Sequence, residues 1–330
     1  MRILVTGGAG YIGSICVEEL LRQGHELIVI DNLQEGHREA VLPEACFYEG
    51  DIGDAECLDR VFRKHEIECV MHFAAEASVG VSMTDPHRFF LTNVTKGLIL
   101  LETMRTNGCR KIIFSSSAAI FGDPEVLPMG EGHPCRPINA YGESKLMFEK
   151  ILGWYHASYG FQFNAFRYFN AAGATQRLGE AHRHESHLIP CLIQVALGLR
   201  ERISIFGSDY PTSDGTCVRD YLHVADIARA HILALNNLDQ RHSARYNLGH
   251  GIGYTNLEVL KIVENISGKK ILYEFAPRRP GDPIRLGASS ALAEREQGWK
   301  PHFSSLEDIV RSAWEWHLRH PSGYEKNPSG

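Results

Sequence analysis

The fold is decided by the stretch Arg2-Ile3-Leu4-Val5-Thr6-Gly7-Gly8-Ala9-Gly10-Tyr11-Ile12-Gly13, close to the start of this 330-residue chain. A short apolar run ends in glycines, and the next nine residues have the apolar spacing of a helix. Gly7, Gly10 and Gly13 satisfy G-x-x-G-x-x-G, and the stretch also contains the stricter G-x-G-x-x-G. Glycines at a strand-to-helix turn let a pyrophosphate approach the backbone at a helix N-terminus. The stretch therefore predicts a dinucleotide site.

A second apolar run, residues 27–30, ends in Asp31, 18 residues after Gly13. A carboxylate at this distance can accept hydrogen bonds from both ribose hydroxyls of an adenosine. No arginine follows Asp31 directly, and the carboxylate would repel a 2′-phosphate. We therefore expect NAD rather than NADP.

Further along, Tyr141-Gly142-Glu143-Ser144-Lys145 places a phenol and an ammonium on one face of a helix. A nearby cation favours the phenolate, which would otherwise form only near pH ~10, so the phenol can act as a general base. The pattern alone is often an exposed aromatic beside a solvated lysine. Here, however, Ser117 ends a predicted strand 24 residues before Tyr141, so the two hydroxyls can converge on one substrate hydroxyl.

Composition excludes several classes of protein. Hydrophobic residues make up 44% of the chain, charged residues make up 22%, and the net charge is −6. We therefore expect no nucleic-acid partner. No apolar run approaches the ~18 residues of a membrane span, and the first is too short for a signal peptide. The eight scattered cysteines contain no C-x-x-C pair and are typical of the reduced thiols of a cytoplasmic protein.

Strand and helix patterns alternate through the first half, which predicts an α/β fold with a doubly wound parallel sheet of Rossmann type. The expected strands are 2–6, 26–30, 46–48, 68–73, 110–115 and 161–167, and the expected helices are 12–23, 54–65, 84–107 and 141–159. After residue 170 the pattern changes, with a polar loop over 171–185 and then helices near 187–199, 224–238, 256–267, 289–297 and 305–318. We expect an NAD-binding domain over 1–170 and a smaller α/β substrate domain over 171–330, with segments that can cross back.

Several longer blocks go beyond these general motifs. They are Thr6–Ser14, Asp31–Leu33, Gly50–Ile52, His72–Ala75, Phe114–Ala118, Tyr141–Met147, Arg167–Asn170, Ile205–Tyr221 and Arg278–Asp282. With them the chain resembles the extended short-chain dehydrogenase/reductase family, and within it the UDP-sugar 4-epimerases, over about residues 1–320.

The resemblance implies a role for each matching residue. Tyr141 would be the base, Lys145 would bind the nicotinamide ribose and lower the pKa of the phenol, and Ser117 would hydrogen-bond the sugar. The implied NAD contacts are Gly7, Gly10, Tyr11, Ile12, Gly13, Asp31, Asn32, Asp51, Ile52, Phe73, Ala74, Ala75, Thr92, Tyr141, Lys145 and Phe169. The implied substrate contacts are Ser117, Tyr141, Asn170, His187, Leu188, Phe206, Arg219, Tyr221, Arg279, Asp282 and Leu286. The guanidinium groups of Arg219 and Arg279 suit a pyrophosphate, and the ring of Phe206 offers a flat face to uracil.

The expected activity is reversible C4 epimerisation of UDP-glucose and UDP-galactose through a transient 4-keto sugar, with bound NAD. The alternatives are a 4-epimerase of UDP-GlcNAc or a UDP-pentose, or a nucleotide-sugar 4,6-dehydratase. The dehydratases place an acidic pair after the catalytic hydroxyl, whereas Ala118-Ala119 follow Ser117 here. A non-enzymatic dinucleotide sensor would be expected to lose the Tyr141/Lys145 pair.

Three further expectations concern the size of the substrate, the assembly of the chain and the presence of a metal. Leu286 is intermediate in volume, so UDP-GlcNAc should be a slow substrate. A homodimer should form through the helices near 84–107 and 141–159, whose apolar residues exceed the needs of one sheet face; these are Leu98, Leu101, Met104, Leu146, Phe148 and Ile151. His182-x-His184-x-x-His187 has no carboxylate or cysteine at convincing ligand spacing, so we expect no metal.

Overall fold

The computed structural model describes residues 1–238 and 243–324 of the chain. Within these residues the strands are β1 (Arg2–Thr6), β2 (Glu26–Asp31), β3 (Cys46–Glu49), β4 (Cys69–His72), β5 (Lys111–Ser115), β6 (Gln162–Tyr168), β7 (Asn170–Ala172), β8 (Ile203–Phe206), β9 (Val218–His223), β10 (Ala244–Leu248), β11 (Gly253–Thr255) and β12 (Tyr273–Ala276). The helices are α1 (Tyr11–Arg22), α2 (Ala55–His65), α3 (Val79–Ser82), α4 (Pro86–Phe90), α5 (Gly97–Thr106), α6 (Ala140–Tyr159), α7 (Leu188–Ala196), α8 (Val224–Asn237), α9 (Asn256–Ser267), α10 (Ala291–Gln297) and α11 (Leu306–Arg319).

The main feature is a parallel sheet whose order, over the described residues, is β10-β6-β5-β4-β1-β2-β3. Ile3, Leu4 and Val5 of β1 are completely buried, because helices cover both faces of the sheet. The strand order reverses at β1, between β2 and β4, and ligands bind beside the carboxyl ends of strands at such a point. The predicted α/β fold with a doubly wound parallel sheet is confirmed.

The second half of the chain contributes to this sheet. β10 pairs with β6 as an edge strand, and residues of α8 such as Ile227 and Leu235 share the core of Ile3 and Val5. The remaining strands form two small sheets, β11-β9-β7 and β12-β8. Helices α7, α9 and α11 pack around a separate core. The chain therefore crosses back after residue 170, and a division into domains at that residue stays a prediction.

The helix predicted over 84–107 is interrupted. α4 begins with Asp85 capping the backbone N–H of Arg88, a π-helical turn occupies Leu91–Lys96, and α5 follows. Asn93 explains the wide turn, since its side-chain amide bonds the backbone of Glu76 on both sides and donates to Ser144 Oγ at 2.9 Å. The turn thus ties this segment to α6.

The residues on which the predicted homodimer depended are mostly core residues. Leu101, Met104 and Phe148 are completely buried within this chain, so they cannot form an interface, and that part of the prediction is wrong. The apolar excess on these helices fills the space under the sheet instead. On α6 the most exposed large apolar side chain is Trp154, at 73% exposure, and Met147 and Tyr159 are exposed as well.

Two general expectations can be compared directly with the described residues. The eight cysteines all lie in the described ranges and are all free thiols. Among the described helices, none has both the length and the apolar character required to cross a membrane.

Candidate active site

A cavity of about 1050 Å³ opens at the carboxyl ends of the sheet strands. All the cofactor and substrate residues named from the sequence line this cavity, from Gly7 at its base to Leu286 at its far wall. The sheet brings residues from both halves of the chain together, because the loops after parallel strands share one edge. The residues are therefore placed for a common ligand set, and their individual roles stay predictions.

The turn before α1 requires glycine, because a side chain at Gly7 or Gly13 would clash with nearby backbone atoms. Gly7 has φ +72°, and a Cβ there would lie 2.5 Å from the backbone nitrogen of Ala74. A Cβ at Gly13 would lie 2.2 Å from the carbonyl oxygen of Gly7. Gly10 is the N-cap of α1 and has no capping side chain, and it lines the cavity together with Tyr11, Ile12 and Gly13 of the first turn. This arrangement fits the pyrophosphate of a dinucleotide.

Acidic and amide side chains follow β2 and β3. Asp31 accepts hydrogen bonds from the backbone N–H groups of Ala9 at 3.0 Å and Leu33 at 2.9 Å. Burial raises the pKa of Asp31, although these two hydrogen bonds oppose the change. Asn32 donates to Asp51 at 3.0 Å. The Asp31 carboxylate is thus held in place at the strand end where a ribose is expected.

The π-helical turn gives the neighbouring residues Thr92 and Asn93 different surroundings. Thr92 lines the cavity, whereas Asn93 is 3% exposed and bonds Glu76 and Ser144 inside the protein. Thr92 is therefore the residue of the pair that a cofactor in this cavity can reach.

Ser117, Tyr141 and Lys145 meet between the end of β5 and the start of α6. Asn139 caps α6 by accepting from the backbone N–H of Gly142 at 2.8 Å, which places Tyr141 in the first turn. Lys145 lies one turn later, 3% exposed, and its Nζ donates to the carbonyl of Ser115 at 2.8 Å. The Nζ atom is 5.9 Å from the centre of the Tyr141 ring.

Burial dominates the electrostatics of this group. Desolvation raises the pKa of Tyr141, and a hydrogen bond from Ser117 only partly opposes it. Burial lowers the pKa of Lys145 to about 7. Burial therefore opposes the expected lowering of the pKa of the phenol by Lys145, whose Nζ bonds the Ser115 carbonyl, and that lowering stays a prediction.

Behind these residues lies a buried charge cluster that the sequence analysis missed. Glu149, 1% exposed, accepts from Ser116 Oγ at 2.6 Å and from the guanidinium of Arg167 at 2.6 and 2.9 Å. Arg245 of β10 lies 3.0 Å from the same carboxylate. Because Glu149 is one turn beyond Lys145 on α6 and Ser116 precedes Ser117, the cluster fixes the helix against the end of β5. Glu149 falls four residues after Lys145, but its partners Ser116, Arg167 and Arg245 are distant in sequence and gave no local signal.

The substrate-side residues contact one another across the other end of the cavity. The Arg279 guanidinium lies over the Phe206 ring, 4.3 Å from its centre. Arg219 and Asp282 approach to 3.8 Å. These groups can bind a flat base and an anion, since an arginine fork matches two phosphate oxygens.

Other substrate-side positions are held by the small sheets. Asn170 donates to the backbone carbonyl of Asp220 at 3.4 Å, and Tyr221 is 6% exposed on β9. Leu188 begins α7, and Leu286 packs against the buried cluster that contains Phe169. Further cavity-lining residues without a recognisable motif are Gln34, Ser78, Asn139, Arg200, Arg202 and Asn256.

The histidine loop requires a correction. Glu180 and Glu185 fold onto His182 and His187, so carboxylates do complete a ligand-type cluster, whereas His184 has an exposed side chain on the same loop. Local spacing gives no sign of this cluster, because each glutamate stands two residues before a histidine, outside the usual helical metal motifs. Burial alone would lower the pKa of His182, but the two carboxylates outweigh it and raise the pKa to about 9.

Comparison with known proteins agrees with this geometry. Residues 3–249 match the NAD dependent epimerase/dehydratase family. The UDP-glucose 4-epimerase of Halalkalibacterium halodurans is 50% identical over 98% of both chains. A crystal structure of a UDP-glucose 4-epimerase superposes with a TM-score of 0.95 at 47% identity, covering 99% of this chain and 100% of that one. The enzyme of Bifidobacterium longum, solved with NAD⁺ and UDP, has a TM-score of 0.95 at 38% identity, covering 98% and 100%.

Proposed function

Since the chain belongs to the NAD dependent epimerase/dehydratase family, we propose that it interconverts UDP-glucose and UDP-galactose by reversible epimerisation at C4. The observation that carries this proposal is the meeting of Ser117, Tyr141 and Lys145 in one cavity with the glycine turn of α1. The first group handles a hydroxyl proton, and the second holds a dinucleotide beside it. Bound NAD supplies the hydride acceptor and donor for C4.

In this reaction the chain's own residues manage the proton. Tyr141 accepts the proton of the C4 hydroxyl and later returns it, while Ser117 hydrogen-bonds the same hydroxyl and fixes its direction. Lys145 donates to the cofactor ribose and, when protonated, favours the phenolate. Ser117 and Lys145 are 8% and 3% exposed, and such burial limits the access of water to a 4-keto sugar.

The nucleotide is held away from the reacting atoms. Arg219 and Arg279 supply fork donors for the pyrophosphate, Phe206 supplies a ring face for uracil, and Asp282 can accept from a ribose hydroxyl. The hexose then contacts smaller groups and can present either face at C4. Binding energy concentrated on the non-reacting nucleotide suits such a reaction.

The test uses purified protein and UDP-galactose without added NAD, with UDP-glucose measured by chromatography. Tyr141→Phe should keep bound NAD and lose at least ~100-fold in kcat, because only the proton acceptor is removed. Tyr159→Phe, an exposed tyrosine on the same helix, is the matched control and should keep full activity. Retention of a few per cent of kcat in Tyr141→Phe would exclude it as the base, and a 4-keto-6-deoxy product would indicate the dehydratase reaction.

We also propose a homodimer in the cytoplasm. Met147, Ile151 and Trp154 form a stripe at i, i+4 and i+7 on the outer face of α6, with Trp154 73% exposed and Met147 36% exposed. Such a stripe favours packing against another helix face. Free cysteines suit a reducing compartment. Light scattering should give a dimer mass, Trp154→Glu should give a monomer, and a monomeric wild type would contradict the proposal.

A further inference from the structure

Four ligand-type side chains cluster on the segment that joins β7 to α7. Glu180, His182, Glu185 and His187 each bring one nitrogen or oxygen atom within 4.8 Å of the others. The sequence contains two Glu-x-His pairs, and the segment folds so that the pairs face each other. The Nδ1 atom of His187 lies 2.9 Å from Glu180 Oε1 and 2.7 Å from Glu185 Oε1. The Nδ1 atom of His182 lies 3.2 Å from Glu180 Oε1 and 3.8 Å from Glu185 Oε2.

These separations match those of the ligands around one small cation. Tetrahedral Zn²⁺ with bonds of about 2.0–2.1 Å places its ligand atoms about 3.3 Å apart. The four measured separations lie on both sides of that value. Small side-chain rotations would therefore suffice to place two nitrogens and two oxygens around a common centre.

Hydrogen bonding within the described residues does not account for the whole cluster. Glu185 has a side chain only 7% exposed, and its Oε2 is buried without a hydrogen-bond partner. His182 Nδ1 is also buried without one, although the Glu180 oxygen is only 3.2 Å away. A hydrogen bond needs both a short distance and a favourable direction, whereas a metal ion placed between the atoms needs only the distance.

We propose that Glu180, His182, Glu185 and His187 form a binding site for a divalent cation of the Zn²⁺ type on the wall of the cavity. Imidazole nitrogen favours Zn²⁺, Co²⁺ or Ni²⁺, whereas Mg²⁺ and Ca²⁺ prefer sites made of oxygen. Two buried carboxylates, with side chains 6% and 7% exposed, neutralise the charge of the cation. The site shares His187 with the expected substrate contacts, and it is detected by binding rather than by turnover.

The alternative is that the cluster consists of two histidine–glutamate ion pairs without a metal. That arrangement needs both histidines protonated, whereas a metal needs both nitrogens free of protons. The metal site should therefore take up Zn²⁺ through ligands that include His182, whereas the ion pairs should not bind Zn²⁺.

The experiment is calorimetric titration of the EDTA-treated, full-length protein with Zn²⁺, and Mg²⁺ serves as the oxygen-preferring competitor. The wild type should bind one Zn²⁺ per chain at this site, with no competition from equal Mg²⁺. His182→Ala should weaken binding at least ~100-fold, since even the outer partners of metal ligands are worth 10–100-fold. The matched control is His184→Ala, whose side chain is 91% exposed on the same loop.

Two further variants keep the test decisive. Glu185→Gln preserves side-chain size and should also weaken Zn²⁺ binding. This variant tests the proposal if His182→Ala does not fold. Cys46→Ser removes an exposed thiol that lies 4.0 Å from His65 Nε2, and it should leave binding unchanged. Equal affinity in wild type and both His182→Ala and Glu185→Gln would overturn the proposal, as would an equal loss in His184→Ala.

Discussion

Lys145 should make the ligand-free protein less stable than a methionine at the same position would. The side chain is 3% exposed on α6, and burial lowers its pKa from 10.5 to about 7. Its Nζ donates to the Ser115 carbonyl, which is a neutral acceptor. The replacement Lys145→Met keeps the length and apolar character of the side chain while removing the ammonium group.

The magnitude follows from the pKa and the hydrogen bond. Each pKa unit is worth about 1.36 kcal/mol, so burial of the Lys145 ammonium costs about 4–5 kcal/mol at pH 7. Removing the ammonium leaves the Ser115 carbonyl without its donor, which costs about 1–3 kcal/mol. Lys145→Met should therefore raise the free energy of unfolding by about 2 kcal/mol at pH 7. It should also abolish epimerisation, because Lys145 lowers stability but is needed for activity.

The effect should depend on pH with a definite sign. Lys145 has a lower pKa in the folded than in the unfolded chain, so between pH 7 and about 10.5 the unfolded chain binds more protons. Wild-type stability thus gains from this group as pH rises. At pH 9.5 the burial cost falls to about 1 kcal/mol. The lost hydrogen bond then outweighs it, so the variant should be about 1 kcal/mol less stable than the wild type.

Urea unfolding of cofactor-free protein, followed by circular dichroism at pH 7 and pH 9.5, measures both values. Lys150→Met is the matched control, because Lys150 is exposed on the same helix and its replacement should change stability by less than ~0.5 kcal/mol. A Lys145→Met variant that is less stable than wild type at pH 7, or whose difference from wild type does not change with pH, would refute the reasoning.

Three further predictions concern substrate range, a buried ion pair and acid stability. Leu286→Ser should raise kcat/KM for UDP-GlcNAc about 10-fold with little loss on UDP-glucose, and equal wild-type values for the two sugars would show that Leu286 does not limit the substrate. Glu149→Gln should cost about 3 kcal/mol in urea unfolding because it leaves a buried guanidinium unpaired, whereas Glu125→Gln, from an exposed pair, should cost under ~1 kcal/mol; equal losses would contradict this. Burial lowers the pKa of His72 to about 3 and of His231 to about 4, so both stay neutral in the folded chain, and their stabilising effect is lost as pH falls below 6.5. From pH 7 to pH 5 the two histidines should together lower the free energy of unfolding by about 4 kcal/mol. Over the same range His231→Gln should lose about 2 kcal/mol less stability than wild type, and an equal loss would show that His231 does not contribute to acid unfolding.

Local sequence patterns predicted those parts of the fold that depend on local structure. The apolar run before Gly7 determined the position of β1, and the spacing of Tyr141 and Lys145 placed both on one face of α6. Pairing between distant strands is not encoded in such patterns, so the return of β10 to the edge of the sheet could not be derived from them. The π-helical turn depended on Asn93 reaching Glu76 and Ser144, which is a tertiary contact.

The candidate site shows the same division. Strand-end positions such as Asp31 and Ser117 could be named because the ends of parallel strands lie along one edge. The closure of Glu180 and Glu185 onto the histidines could not be named, because it depends on how a loop without regular structure folds. The charge cluster at Glu149 was missed because its partners come from three different strands or strand ends.

The electrostatics of Tyr141 and Lys145 show why a motif can locate a site without describing its chemistry. Spacing predicts that an ammonium lies near a phenol, and in water that proximity would favour the phenolate. In a desolvated cleft each charged form loses its hydration, and the attraction must first compensate both losses. Here Nζ is 5.9 Å from the centre of the ring and bonded to Ser115, so burial dominates and both groups favour their neutral forms near pH 8. Stabilising the phenolate at this site is therefore a task for the groups that bind in the cavity, and the spacing of the motif alone does not achieve it.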